Sequence, residues 1–358
     1  MIPRARQAPH ARGVGLAVLA AIAFGLATPL VARFGKGLGA FSTAACLSGG
    51  AALVGVVLRR FRRGSGHPLR RGDRVRLVAM AVIGATVAPA LLAFGLQHTG
   101  ATSASLVLNL EAIFTLILAA LVYREPLGAR AITAAVVMLG GGTLLVTQTG
   151  DLGTAGVGLL AVAAATAAWG VDNTLSRPLA EAEPLTVVAL KAGLGAALAL
   201  AVAVIAGEPS PRATDVLALL AVGAVGYGGS LALYLNAQRH LGAGRTGSVF
   251  ALGPFVGALV AIALGDRELG WATAVAATLF ALGVWLHLAE AHAHGHVHEA
   301  MEHEHFHRHD DGHHDHGHDE GEVVPAGGHS HRHGHERLEH EHPHAPDLHH
   351  LPEHPAPR

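Results

Sequence analysis

A single cysteine, two lysines, 4% aromatic residues and 14% charged residues in 358 set the first limits on this chain. One thiol cannot build a disulfide framework within the chain. Cys46 also stands in an apolar stretch, where a free cysteine behaves as a small buried residue. So few aromatics and charges are too little for the core and surface of an ordinary soluble domain. Chemical motifs are missing as well. There is no nucleophile elbow, no HExxH and no paired-cysteine zinc site. Gly140-Gly141-Gly142 lies within an apolar run and lacks the Lys-Ser/Thr of a phosphate loop. An enzyme is not expected, and neither is a nucleic-acid binder.

What is present is apolar and small. Hydrophobic residues make up 51% of the chain, and Gly, Ala, Leu and Val dominate up to about residue 290. That composition suits membrane helices whose backbones approach closely. A span needs about 20 apolar residues. Ten stretches qualify, at 13–33, 38–58, 77–97, 100–122, 130–148, 156–176, 185–206, 216–237, 243–264 and 270–289. The runs are continuous rather than alternating, which excludes a strand barrel. Arg4, Arg6 and Arg12 precede the first run as in a signal peptide. That run, however, leads into Pro29 and Arg33 with no clear small-residue cleavage site, so it reads as a retained span.

Charge gives the expected orientation. Through Leu288 the chain is net +10; beyond it the net charge is −11 with His neutral. With an even number of spans, both termini lie on one side. Loops on that side hold 16 of the basic residues, including the run from Arg59 to Arg76, and the other side holds Arg33, Lys36, Arg212 and Arg267. The positive-inside rule puts both termini on the cytoplasmic side, and the bias toward Ala, Gly and Arg with only two lysines leads to the expectation of a bacterial inner membrane.

The apolar body repeats itself. Gln97-His98-Thr99-Gly100-Ala101 aligns with Arg239-His240-Leu241-Gly242-Ala243, 142 residues on. Phe24-Gly25 before Arg33 echoes Trp169-Gly170 before Arg177. Five spans per copy is an odd number, so the second copy enters the bilayer upside down. Inverted repeats mark secondary transporters, with the binding site between them near the midplane. The expected fold is an all-α membrane protein of two inverted five-helix repeats, 13–148 and 156–290, after a short segment 1–12.

Leu110-Glu111-Ala112-Ile113-Phe114 with Arg124-Glu125, and Gly253-Pro254-Phe255 with Arg267-Glu268, resemble the paired motifs of EamA-type members of the drug/metabolite transporter superfamily. The resemblance covers about residues 13–290. It implies a 5+5 inverted fold, small-molecule substrates, no required cofactor, and a cavity lined by the first four spans of each repeat. The fifth and tenth would be peripheral. Where the family often has Pro after the first-motif acid, this chain has Ala112. Only Pro254, in the ninth span, therefore argues for a broken helix.

Ionisable side chains inside a span are costly and tend to serve a function. Glu111 lies in mid-span, with Asn109 just before it, and could take a cation, an amine or a coupling proton. Trp169, Asp172 and Asn173 share one helix face by their spacing. Lys191, inside the seventh span, is a natural partner for Asp172, either as a structural ion pair or as an inner gate. Tyr227, Ser230 and Tyr234 form a polar-tipped stripe on the eighth span, lining a cavity or bonding between helices. Gly253 and Gly257 form a GxxxG that reads as close helix packing.

From about residue 291 the composition changes. Of 27 histidines, only His10, His67, His98, His240 and His287 precede this tail. Its first part carries His292, His294, His296, His298, His303, His305, His307, His309, His313, His314, His316 and His318 among acids, Gly and Pro. With so few apolar groups, the segment 291–358 is expected to be disordered without a ligand. The H-x-H-x-H spacing favours an extended chain, with alternate residues on one side. Imidazole suits Zn, Ni, Co and Cu, and no thiolate is present to select softer ions. The tail also gains positive charge as pH falls through about 6.5. Docking of the acidic tail on the Arg59–Arg76 loop, released by metal or protons, is one regulatory expectation.

These features lead to a secondary transporter, exporting a small metabolite or amino-acid-like solute, with a metal-binding cytoplasmic tail that regulates it. Two alternatives stay open: a divalent-metal transporter, and a membrane-anchored metal buffer or sensor. Expected partners are the lipid bilayer, the small-molecule substrate and divalent metal ions; a homodimer is allowed.

Overall fold

Ten helices among the described residues are long and apolar enough to cross a membrane: Arg12–Phe34, Ala40–Phe61, Asp73–His98, Ala101–Tyr123, Ala129–Thr147, Thr154–Leu179, Pro184–Ile205, Ala213–Gln238, Thr246–Ala263 and Trp271–Leu288. The computed structural model describes residues 7–61, 69, 72–124, 127–148, 153–179, 182–241, 243–267, 270–288, 293–298, 301–307, 329–335 and 338–343. All ten helices fall on the ten apolar stretches read from the sequence. The reason is solvent: in hydrocarbon each backbone N–H and C=O must be satisfied internally, and a helix does this within one segment.

The packing repeats with the sequence. The first span packs on the eighth and ninth, and the sixth packs on the third and fourth. The second packs on the seventh, and the fifth on the tenth. Exchanging the spans of one repeat for those of the other returns the same set of pairs. The fifth and tenth spans meet mainly each other, through Met138, fully buried Phe280 and Gly283. Large apolar side chains such as Leu53, Val56, Leu121, Val204 and Leu259 stay exposed, while alanines dominate the interior. In lipid there is little hydrophobic drive between helices, so small residues and backbone proximity hold such a bundle.

Two kinds of interruption recur in both repeats. The third span contains a π-helical segment, Ile83–Val87, and the eighth contains another, Gly223–Gly229. π-segments inside α-helices concentrate at functional sites. The fourth span breaks into Ala101–Val107 and Leu110–Tyr123, and the ninth into Ala243–Phe250 and Gly253–Ala263. The break in the ninth is the one Pro254 argues for. The break in the fourth occurs without a proline. There the Leu108 N–H donates to Ser105 O and the Glu111 N–H to Leu108 O, three residues back in each case, which tightens the turn.

Acids tie the repeats together at the end of the bundle opposite the N-terminus. Glu208, after the seventh span, accepts from the Phe41 and Ser42 amides at 3.0 and 2.7 Å and from Ser42 Oγ at 2.7 Å. Asp266, after the ninth, accepts from the Thr102 amide at 2.8 Å. Each carboxylate thus caps the start of a helix in the other repeat, where free N–H groups and the helix dipole favour negative charge. At the N-terminal end, Glu183 caps its own helix by accepting from the Thr186 amide at 3.1 Å, and Arg59 reaches it at 3.8 Å.

The segment Ala291–Ala345 forms a separate unit. Four strands run in it: β1 (Ala293–His298), β2 (Met301–His307), β3 (His329–His335) and β4 (Leu338–Pro343). β1 pairs with β4 and β2 with β3, both antiparallel. The sequence leads to a tail with no fold of its own. These are two-stranded pairs, which are marginal in water unless something else holds them. His292, His309, His313, His314, His316 and His318 lie outside the described residues, as do residues 62–68, 70 and 71 of the Arg59–Arg76 loop.

Candidate functional site

The break in the fourth span sets the site. Asn109 closes it: its buried side-chain amide donates to Leu106 O at 2.9 Å. Asn109 is therefore engaged by the backbone that the break frees. Glu111 follows in the first turn of the half-helix Leu110–Tyr123, where the positive end of the helix dipole favours a carboxylate. Asn173, on the sixth span, donates to Glu111 Oε1 at 2.9 Å and lies 3.4 Å from Thr115 Oγ1, one turn further on. Glu111 is half-buried and Asn173 is exposed, so protein does not seal this pair. Among the described residues, no cation stands within ion-pair distance of Glu111.

Gly170 explains how Asn173 reaches so far. A Cβ there would lie 2.9 Å from Phe114 Cβ and 3.1 Å from the Thr115 nitrogen. The sixth span thus touches the fourth backbone to backbone, one turn before Asn173. Gly25 does the same between the first span and the ninth: a Cβ on it would fall 2.4 Å from Gly253 O. The GxxxG of Gly253 and Gly257 is accordingly a helix-packing surface.

Asp172, 4% exposed, pairs with Lys191 of the seventh span through Oδ2. Its Oδ1 has no hydrogen-bond partner. Room for this carboxylate comes from Gly84 in the π-segment of the third span, where a Cβ would lie 2.3 Å from Asp172 Cγ. The same residue's carbonyl accepts from Trp169 Nε1 at 3.1 Å. Further donors use the neighbouring carbonyls. Ser48 Oγ donates to Ala85 O at 2.6 Å, and Thr86 Oγ1 lies 2.9 Å from Ala81 O and 3.1 Å from Gly195 O. The face shared by Trp169, Asp172 and Asn173 therefore addresses three different spans: third, seventh and fourth.

Tyr227 lies within the second π-segment. Its ring centroid is 6.3 Å from both Trp169 and Phe24, the two aromatics at matching places in the repeats. Phe24 continues to Phe250 at 5.2 Å, and Phe250 to Tyr234 at 5.0 Å. Trp169, Tyr227, Phe24, Phe250 and Tyr234 form one aromatic chain. Ser230 points elsewhere and donates to Ala20 O of the first span at 2.9 Å, an interhelical bond.

Sequence reading missed Gly84, Thr115, Ser48 and Thr86. Each is a small residue in an apolar run, and only the π-segment or the break gives it a role. Near the N-terminal end, Tyr123 donates to Thr174 O at 2.8 Å, and the Arg177 guanidinium sits 4.6 Å from the Tyr123 ring centroid. At the opposite end, a cavity of about 430 Å³ lies between the ends of the first and third spans, among Val31, Gly35, Lys36, Leu96, Gln97 and His98. It does not include Glu111. Among residues with described side chains, no group of three or more His, Cys, Asp or Glu is placed to hold a metal ion.

Inverted repeats, paired helix breaks and an acid at a half-helix terminus make up a multi-pass membrane architecture of the kind found among secondary transporters. Comparison with known proteins gives the family. The EamA-like transporter family matches residues 11–147 and again 156–289, and the chain belongs to that family. A curated protein described as an uncharacterized transporter, from Methanothermobacter thermautotrophicus, is 31% identical over 200 residues. The match takes in 54% of this chain and 58% of that protein, so the chain spans little more than half its relative's length. One solved crystal structure superposes with a TM-score of 0.54 at 22% identity, covering 79% of this chain and 97% of the other. It supports the fold.

Proposed function

We propose that this protein exports a small amine-bearing or amino-acid-like solute across the inner membrane, with both termini in the cytoplasm. Glu111 takes the positively charged group of the solute, or the proton that exchanges for it. One observation carries the reading: Glu111 sits at the start of a half-helix, held by an amide from the other repeat, with no cation within ion-pair distance among the described residues. Asn173 orients the carboxylate, and the chain from Trp169 to Tyr234 offers rings over which an ammonium group or an apolar side chain can lie. The Asp172–Lys191 pair closes the polar cluster toward the N-terminal end of the bundle. The excess of arginine on that side supports the orientation.

Purified protein in proteoliposomes, screened against amines, amino acids and organic acids, tests this. A hydrogen bond to a charged group is worth about 1.5–3 kcal/mol, so Glu111→Gln should slow transport of a cationic or zwitterionic solute by about 10-fold or more. Transport of such solutes at the parent rate by Glu111→Gln would remove the basis of the reading. Uptake into inside-out but not right-side-out vesicles would establish export.

A further inference from the structure

We infer that the tail closes on itself in a single antiparallel register and binds borderline divalent cations between facing histidines, one site per ladder. In the ladder of β1 with β4, His294 stands opposite His342 and His296 opposite His340. In the ladder of β2 with β3, His303 faces His333, His305 faces His331 and His307 faces His329. Both ladders keep the same register, because partner numbers add to 636 in each, from Ala293 with Pro343 to His307 with His329.

The sequence pattern fits this register at a second level. Histidines occupy even positions in the outer ladder and odd positions in the inner one, and both strands make the change between the same two ladders. Within each ladder, alternate positions belong to one face, so the histidine positions fall on one face and the acidic positions on the other. The acids also avoid one another across the strands. Glu304 is opposite Arg332, Glu302 opposite Gly334, Glu339 opposite Val297 and Glu341 opposite Gly295. Like charges placed directly opposite would destabilise such a pair.

Spacing then selects the ligand. Directly opposed residues have Cβ atoms about 4.5–5.5 Å apart, and same-face neighbours along a strand are about 6.5 Å apart. Two imidazoles from one facing pair can meet on an ion bound at about 2.0–2.1 Å, and an adjacent pair can complete four ligands. Nitrogen ligands without thiolate favour Zn, Ni and Cu. Two-stranded ladders with almost no apolar face need such a clamp, so metal binding and strand pairing form one equilibrium. The site is independent of the solute pathway and does not rest on it.

The test uses the full chain in detergent, with Cys46→Ser and nitroxide labels on Glu302→Cys and Gly334→Cys, which stand directly opposite each other. The probe is Zn²⁺ alone, followed by binding titration and by dipolar coupling between the labels. At least two ions should bind, and their binding should bring the labels into close coupling. His303→Ala/His305→Ala/His307→Ala should lose about one ion and the coupling with it, since the inner ladder then lacks half its ligands. His313→Ala/His314→Ala/His316→Ala, which removes as many histidines outside both ladders, should keep the coupling. Zinc that binds without coupling, equal losses in the two triple variants, or no binding at all would overturn the proposal.

Discussion

Where the fourth span carries Glu111 behind its break, the ninth span carries Gly253, 142 residues on. Where the sixth span offers Asn173, the first span, by the alignment of Gly25 with Gly170, offers Thr28, 3% exposed. Asp172 likewise corresponds to buried Ala27. Breaks, π-segments and backbone-close glycines occur in both repeats, but the charged groups of the site gather where the third, fourth, sixth and seventh spans meet. The equivalent meeting of the eighth, ninth, first and second spans holds Tyr227, Tyr234, Phe250 and Phe24. Symmetry thus supplies the helix interruptions twice and the charged groups once. An asymmetric solute, with a charged end and an apolar end, suits such a site.

Four sets of substitutions test that contrast. The largest effect is expected at Lys191. Removing one partner of a buried ion pair costs about 3–5 kcal/mol, so Lys191→Met should sharply lower the melting temperature in detergent. Replacing both charges together, with Asp172→Leu added, should recover most of the loss. A single variant as stable as the parent would mean that Asp172 is hydrated, not buried. Next comes Gly84→Val, whose side chain would occupy the place of the Asp172 carboxylate and part Trp169 from the Gly84 carbonyl. Overpacking of this kind costs about 1–3 kcal/mol, seen as reduced stability together with reduced transport. Gly25→Val and Gly170→Val should cost similar amounts of stability, because both glycines hold a span against its neighbour's backbone; a large difference between them would mean that the packing is not equivalent in the two halves. The smallest effect is expected from Glu208→Gln, which weakens a helix cap worth about 0.5–2 kcal/mol and should leave solute affinity unchanged.

Spans and repeats could be read from the chain because hydropathy and an offset of 142 are one-dimensional signals. The face shared by Trp169, Asp172 and Asn173 was readable for the same reason, as was the pairing of Asp172 with one of only two lysines. The break before Glu111 was not, since Ala112 gives no proline to mark it and the turn depends on Asn109 bonding to Leu106. Neither π-segment was visible, because Ile83–Val87 and Gly223–Gly229 look like any small-residue stretch of a membrane helix. The contact between Asn173 and Glu111 joins residues 62 apart on different repeats. It requires Gly170 to let two backbones touch, which no local pattern reveals.

The most direct measurement is thiol accessibility at the two positions related by the repeat, Asn173→Cys and Thr28→Cys, each in a Cys46→Ser background in proteoliposomes. Reaction with small water-soluble thiosulfonates of positive and negative charge would be followed. Residue 173 should react, faster with the cationic reagent, and lose that preference when Glu111→Gln is added, while residue 28 stays inert. Equal reaction at both positions, or no charge preference at residue 173, would contradict the claim that one half of this symmetric protein holds the polar site.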